Sequence, residues 1–163
     1  MIVEAPLLEL AADVLDRCRQ QGLRLATAES CTGGLISGCL TAVAGSSLVF
    51  DRGFVTYSNT AKTAELGVPA DLLAARGAVN EAVARAMAEG ALAVAGLDVT
   101  VAVTGIAGPD GGSPGKPVGL VHFAAARSGY DTLHERHVFA GDRQQVRSAT
   151  VEAALHLLLR RVS

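Results

Sequence analysis

The sequence predicts an α/β protein, a three-layer α/β/α sandwich built on a mixed β-sheet. Three observations lead there. Short runs of β-formers alternate with helical apolar periods in the first part of the chain, the pattern of βα units. An uncharged, Val-rich run at residues 99–103 reads as a strand buried on both faces, which calls for helices on both sides of the sheet. Further on, two β-rich runs flank Ser128-Gly129, a hairpin that sets antiparallel strands beside the parallel ones.

Each element follows from local signals. Residues 7–21 place Leu7, Leu8, Leu10, Ala11, Val14, Leu15 and Cys18 on one helical face, and Gly22 ends that helix. Residues 24–28 form a short strand. A helix runs from about residue 35 to 43 and is closed by Gly45, and residues 49–57, rich in β-formers, make the next strand. Asn59 caps a short helix through Leu66, which Gly67-Val-Pro69 stops. Asn80 caps a long Ala-rich helix to about Ala95, with Gly90 tolerated inside it and Gly96 at its end. After the strand at 99–103 comes a Gly/Pro-rich loop, residues 104–117, and then strands at 118–126 and 132–140. Asp142 caps the last helix, whose Val146, Ala149, Ala153, Ala154, Leu157 and Leu158 keep helical spacing.

Composition narrows the function classes. A chain of 163 residues is one domain (residues 1–163), large enough for a substantial core without disulfides. Half of it is hydrophobic, mostly Ala, Val and Leu, with no Trp and 4% aromatics, so stacking on nucleic-acid bases is not its business. The net charge of −2 and the lack of a long basic run also argue against a nucleic-acid partner. No apolar run approaches the roughly 20 residues of a membrane span, and the N-terminal segment is acidic where a signal peptide is basic. The three Cys show no CxxC spacing, which points to a reducing compartment, the cytoplasm. The four His show no metal-ligand pattern; His134 and His137, three apart in a strand, face opposite sides of the sheet. No metal site is expected.

Three polar clusters sit where loops meet strand or helix ends, the usual place for sites in α/β proteins. In the first, Ser30 follows an apolar strand and precedes a Gly pair and a helix. The N–H groups of Cys31, Thr32, Gly33 and Gly34 would be free donors at the positive end of that helix, able to hold a phosphate or an oxyanion. An N-cap at Ser30 or Thr32 accounts for the same pattern. Cys31 is a rival nucleophile, though adjacent residues leave a strand end in different directions.

In the second cluster Lys62 falls in the first turn of the helix that Asn59 caps. The helix dipole lowers the pKa of a cation there, and an apolar pocket would lower it further, as a lysine acting as base for a serine requires. A solvated surface lysine is the plain alternative. Tyr57, at the end of the preceding strand, either steers the proton or is a half-buried strand tyrosine. In the third cluster the glycines after Thr104 let backbone amides approach a ligand. Asp110 either bonds ribose hydroxyls or makes an Asp-Gly turn. Arg143 and Arg147, one helical turn apart, suit a phosphate monoester, or are two solvated arginines.

The combination is familiar. Ala28-Glu-Ser-Cys-Thr-Gly-Gly34, Tyr57-Ser-Asn-Thr-Ala-Lys62 with Leu66-Gly-Val68, Thr104-Gly-Ile-Ala-Gly-Pro-Asp-Gly-Gly112 and Gly141-Asp-Arg143 occur in the order seen in the CinA C-terminal-domain family. The resemblance runs from about Leu7 to Leu159. It implies a nicotinamide-nucleotide amidase that hydrolyses nicotinamide mononucleotide (NMN) to nicotinic acid mononucleotide and ammonia, in pyridine nucleotide recycling. On the matching positions Ser30 is the nucleophile, Lys62 its base and Tyr57 an assistant. Thr104 and Arg143 line the site, and the same role extends to Ser47, Gly105 and Asp110.

The implied mechanism is a Ser/Lys acyl-enzyme route with no metal or organic cofactor, Arg143 and loop amides holding the phosphate. Many members carry a large N-terminal pyrophosphatase domain, so this chain looks like the stand-alone amidase form. The resemblance also suggests a homodimer. Two other readings stand beside it: a nucleotide-phosphate-binding regulatory module without turnover, and a cysteine hydrolase using Cys31.

Overall fold

The computed structural model describes residues 3–163. Its centre is a five-stranded mixed sheet of β1 (Leu25–Glu29), β2 (Phe50–Val55), β3 (Val99–Gly105), β4 (Leu120–Arg127) and β5 (Tyr130–Val138), in the order β2-β1-β3-β4-β5. β1 runs parallel to both β2 and β3, while β4 and β5 add an antiparallel hairpin. Six α-helices cover the two faces: α1 (Ala5–Gln21), α2 (Leu35–Thr41), α3 (Asn59–Leu66), α4 (Ala70–Arg76), α5 (Glu81–Ala95) and α6 (Arg143–Val162). The three-layer α/β/α class read from the sequence is the observed one.

The strand alternation sorts the core into two halves. Leu25, Val99, Val101, Val103, Val121 and Phe123 face α1, α2 and α6, whose Val14, Leu15, Ile36, Leu155 and Leu158 complete that half. The other face is built small: Ala28, Ala102, Ala124 and Ala126 meet α5 through Val83, Ala84, Met87 and Ala88. Alanines on both sides let α5 lie close to the sheet. α3 crosses α5 equally closely, because a Cβ on Gly90 would stand 1.9 Å from the Leu66 carbonyl oxygen. That contact is why the glycine sits inside a helix it would otherwise weaken.

Boundaries shifted by a residue or two. Ser58, not Asn59, is the N-cap of α3, its Oγ accepting from Ala61 N at 3.0 Å. Both residue types cap well, and only the backbone decides between them. Asn80 and Asp142 cap α5 and α6 as read, the latter with a full capping box through Gln145. α4 was absent from the sequence reading, although Pro69 before it and Gly77 after it bracket a helix-forming run. α2 ends at Thr41, two residues short of the expected end, and a 3-10 turn at Ser46–Leu48 fills the stretch before β2. His134 and His137 do face opposite sides: His134 meets His122 beside Glu81, while His137 stacks on Phe139.

The connections create the site. β1 is followed by α2 on one face, and β2 by α3 on the other, so the chain leaves two neighbouring parallel strands in opposite directions. Such a divergence opens a crevice at the carboxyl ends of the strands, where open α/β sheets bind ligands.

Candidate active site

Ser30 is the first residue beyond β1, and its N–H still donates to Val103 O at 3.1 Å, extending the sheet by one bond. Beyond β2, Thr56 N donates to Glu29 O at 2.9 Å, and the chain then turns through Tyr57 into α3. Lys62 is the fourth residue of α3 and points back under the crevice. Only 1% of it is exposed. Its Nζ lies 2.9 Å from Ser30 Oγ, 2.9 Å from Thr56 O and 3.5 Å from Tyr57 O.

That environment favours the neutral amine. Burial pushes the Lys62 pKa down from its ordinary value, opposed by the nearby Cys31 thiol. No carboxylate among the described residues forms an ion pair with it. A charged amine in this place donates to all three oxygens, whereas a neutral NH2 group, with two N–H donors and one lone pair, would give its donors to the two carbonyls and its lone pair to the Ser30 hydroxyl. Of the two causes read from the sequence, the helix dipole and an apolar pocket, burial is the one that lowers the pKa here.

The turn after Ser30 departs from expectation in a second way. The positive end of α2 does not face the crevice, because the fully buried Glu29 carboxylate occupies it. Glu29 accepts from Ile36 N at 2.9 Å, Ser37 N at 3.0 Å, Ser37 Oγ at 2.8 Å and Thr32 Oγ1 at 2.6 Å. Thr32 is thereby spent on structure. Gly33 and Gly34 make the bend at φ 59° and 101°, values that L side chains avoid. The Gly33 N–H is also used, donating to Ser30 O at 3.1 Å. Among the described residues the N–H groups of Cys31, Thr32 and Gly34 have no acceptor, and that of Cys31 directly follows the serine in the chain.

A cleft of about 300 Å³ opens over this pair. Of the residues singled out in the sequence, Ser30, Cys31, Tyr57 and Lys62 line one side of it. Thr104, Gly105, Asp110 and Arg143 line the other. Thr104 Oγ1 donates to Ala78 O at 2.9 Å, tying the α4–α5 connection to the end of β3. Gly105 is required there, since a Cβ would come 2.7 Å from Val121 and 2.8 Å from Leu120 O. Arg143 donates to Gly108 O at 2.9 Å and to the Tyr57 hydroxyl at 3.0 Å, bridging the mouth. Tyr57 is exposed, not half-buried, and touches Lys62 through its carbonyl while its phenol pairs with Arg143. Asp110 is exposed at the rim.

Five expected residues lie elsewhere. Thr32 is buried against Glu29, and Gly33 and Gly34 form the back of the turn, Gly34 lining a neighbouring groove between α1, α2 and α6. Ser47 is exposed in the 3-10 turn before β2, near the amino end of β1 and so at the opposite edge of the sheet. Arg147 is not on the cleft either; Nε donates to Cys31 O at 3.1 Å and Nη2 to Thr32 O at 3.0 Å. Sequence reasoning missed Asn59, Ala78 and Val79 as lining residues, and within the loop after Thr104 it did not single out Ile106, Ala107, Gly108 and Gly111. Asn59 was in a recognised motif but read as a cap, whereas Ala78 and Val79 carry no chemical signal at all.

Cys31 is a poor nucleophile where it stands. Burial, with the neighbouring Glu29 charge adding to it, pushes its thiol up to about 12, so the reactive thiolate is scarce near neutral pH. No three His, Cys, Asp or Glu side chains group as metal ligands among the described residues, and no helix there is long and apolar enough to cross a membrane.

The fold and the cleft define an α/β protein that brings a serine hydroxyl onto a buried lysine amine at the carboxyl edge of its sheet. The chain belongs to the CinA C-terminal domain family, whose model matches residues 7–162. It is 58% identical over 142 residues to a CinA-like protein of Citrifermentans bemidjiense, covering 87% of this chain and 34% of that protein. A CinA-like protein of Geobacter sulfurreducens is 57% identical over 145 residues, covering 88% and 35%. The chain thus spans about a third of the length of these curated relatives. Among solved structures, the competence/damage inducible protein CihA from Agrobacterium tumefaciens superposes with a TM-score of 0.94 at 48% identity, over 96% of both chains. A CinA superfamily protein from Escherichia coli gives 0.92 at 37% identity, over 98% of this chain and 93% of that one.

Proposed function

We propose that this chain is an amidohydrolase that cleaves the carboxamide of NMN through an acyl-enzyme on Ser30. The observation that carries the reading is the 2.9 Å contact between Ser30 Oγ and the Nζ of a lysine that is buried and without a carboxylate partner. A structural lysine has no reason to give up its ion pair and solvent together. A general base for a serine must do both.

The steps follow from the geometry. The Ser30 oxygen attacks the amide carbonyl as its proton passes to neutral Lys62. The oxyanion forms beside the unused Cys31 N–H. Protonated Lys62 then returns its proton to the departing nitrogen, which leaves as ammonia, and the acyl group stays on Ser30. A water, deprotonated by the same amine, releases the carboxylate. Arg143 at the mouth suits the phosphate and Asp110 at the rim suits the ribose hydroxyls, while the glycines from Gly105 to Gly111 allow close backbone approach. A cleft near the lower end of the ~300–1,000 Å³ typical of small-ligand sites fits a mononucleotide.

Ammonia release from NMN, nicotinamide riboside and nicotinamide tests the proposal with wild type, Ser30→Ala and Lys62→Ala. NMN alone should turn over efficiently, and both variants should be inactive. Near-normal turnover in either variant overturns the mechanism. NMN binding by the wild type without ammonia release would mark a binding module instead, and equal activity on all three compounds would remove the phosphate role of Arg143.

A further inference from the structure

Arg147 is half-buried on α6 and does not line the cleft, yet its guanidinium is committed to the nucleophile turn. Nε takes the Cys31 carbonyl at 3.1 Å and Nη2 the Thr32 carbonyl at 3.0 Å. It approaches from the groove between α1, α2 and α6, the side of the turn that Gly34 also lines. A Cβ on Gly33 would lie 3.5 Å from Nη2, so the arginine packs directly against the bend.

We infer that Arg147 is a positioning residue: its planar fork holds the Cys31 and Thr32 carbonyls toward α6 and so fixes the turn that presents Ser30 and its neighbouring amides to the substrate carbonyl. The inference rests on the hydrolysis proposed above. In a trans peptide the C=O and N–H point in opposite directions, so the hold on these two carbonyls turns the Thr32 and Gly33 N–H groups away from α6. Carbonyl oxygens held on the α6 side cannot face an oxyanion in the cleft, where their partial negative charge would oppose it. On the other side of the turn the Glu29 carboxylate fixes Thr32 Oγ1 and the first N–H groups of α2. Between these two anchors the Gly33 N–H closes onto the Ser30 carbonyl, and among the described residues the Cys31 and Thr32 N–H groups next to the nucleophile have no acceptor. Lysine cannot replace the arginine, because one ammonium does not span two carbonyls in a fixed fork. This assignment separates the two arginines near the start of α6: Arg143 faces the cleft, and Arg147 works behind it.

The test uses Arg147→Lys and Arg147→Met in the full chain, with two readouts. The first is NMN hydrolysis, where kcat should fall roughly 10- to 100-fold, somewhat less than the loss of an oxyanion donor itself, with KM held within about twofold. The second is the rate at which a fluorophosphonate labels Ser30, which needs the nucleophile and the oxyanion site but no nucleotide recognition; it should fall in parallel. Addition of guanidinium ion to Arg147→Ala should recover part of the labelling rate, which a purely structural loss would not do. Labelling within twofold of wild type in both variants overturns the inference, as does a raised KM with kcat unchanged, the mark of a substrate ligand. If wild type is labelled at Ser30 but leaves NMN intact, the substrate reading fails, and slower labelling of the variants still upholds Arg147. If wild type is not labelled at all, both fall.

Discussion

Replacing Glu29 by Gln removes the charge at the heart of the nucleophile turn while keeping its shape. The side chain is fully buried and accepts four hydrogen bonds, two on each oxygen. Each oxygen receives one backbone N–H and one hydroxyl: Ile36 N with Thr32 Oγ1, and Ser37 N with Ser37 Oγ. In either orientation the new NH2 group therefore meets one hydroxyl, which can rotate to accept, and one N–H, which cannot. The orphaned N–H costs about 1–3 kcal/mol. The two bonds that survive become neutral ones, each weaker by roughly 1 kcal/mol. Losing the anion at the start of α2 removes about 0.5–1 kcal/mol more, and the cheaper burial of an amide offsets part of the total. The net expectation is a destabilisation of about 2–4 kcal/mol, which in a chain of this size lowers Tm by roughly 5–15 °C. Urea unfolding read by circular dichroism gives the number directly, as a shift in midpoint at constant m-value. A midpoint unchanged from wild type would refute the claim that this carboxylate organises the turn.

The base role of Lys62 predicts a pH profile. Because burial lowers its pKa, the amine is neutral at a pH where a free lysine is charged, so kcat/KM for NMN should rise with pH through a limb clearly below the ordinary lysine value near 10.4. A limb at the ordinary lysine value would exclude the buried amine as base. Gly90→Ala should cost about 1–3 kcal/mol by urea unfolding, since its Cβ would meet the Leu66 carbonyl oxygen at 1.9 Å, with activity per folded molecule retained. Wild-type stability there would show that α3 can move aside. Burial, with the neighbouring His134 next, lowers the His122 pKa to about 4. The unfolded chain then binds a proton between pH 6.5 and 4 that the folded chain refuses. The stability contribution of a neutral His122 is whole above about pH 6.5 and declines below it, by up to ~1.4 kcal/mol per pH unit. His122→Asn should flatten that part of a Tm-against-pH curve, and an unaltered slope would place the titration elsewhere.

Much of the fold was legible because its signals are local. Caps at Asn80 and Asp142, the αL glycines at Gly22 and Gly96, and the Ser128-Gly129 turn act over a few residues and can be read in order along the chain. α4 went unread for lack of a polar cap; Pro69 fills that position. The site was legible in part. Ser30 and Lys62 were named from a glycine-rich bend, a helix start and the family resemblance, but residue physics alone left each with an ordinary structural explanation. Ala78 and Val79 could not be named, because apolar residues become lining only when an adjacent loop delivers them.

Taken by itself, then, the sequence determined the α/β class, most of the elements and which polar clusters to watch, since periodicity and capping are properties of neighbouring residues. Tertiary structure decided what each polar group does. It buried Lys62 against Ser30 at 2.9 Å, gave the start of α2 to Glu29, sent Arg147 behind the turn and left Ser47 at the far edge of the sheet. The physical reason is that desolvation and hydrogen-bond partnership depend on how the chain is folded around a group, often on residues far away in it, as the 32-residue separation of Ser30 and Lys62 and the 116-residue separation of Arg147 and Cys31 illustrate. Only the sheet order and the diverging connections after β1 and β2 bring such groups together.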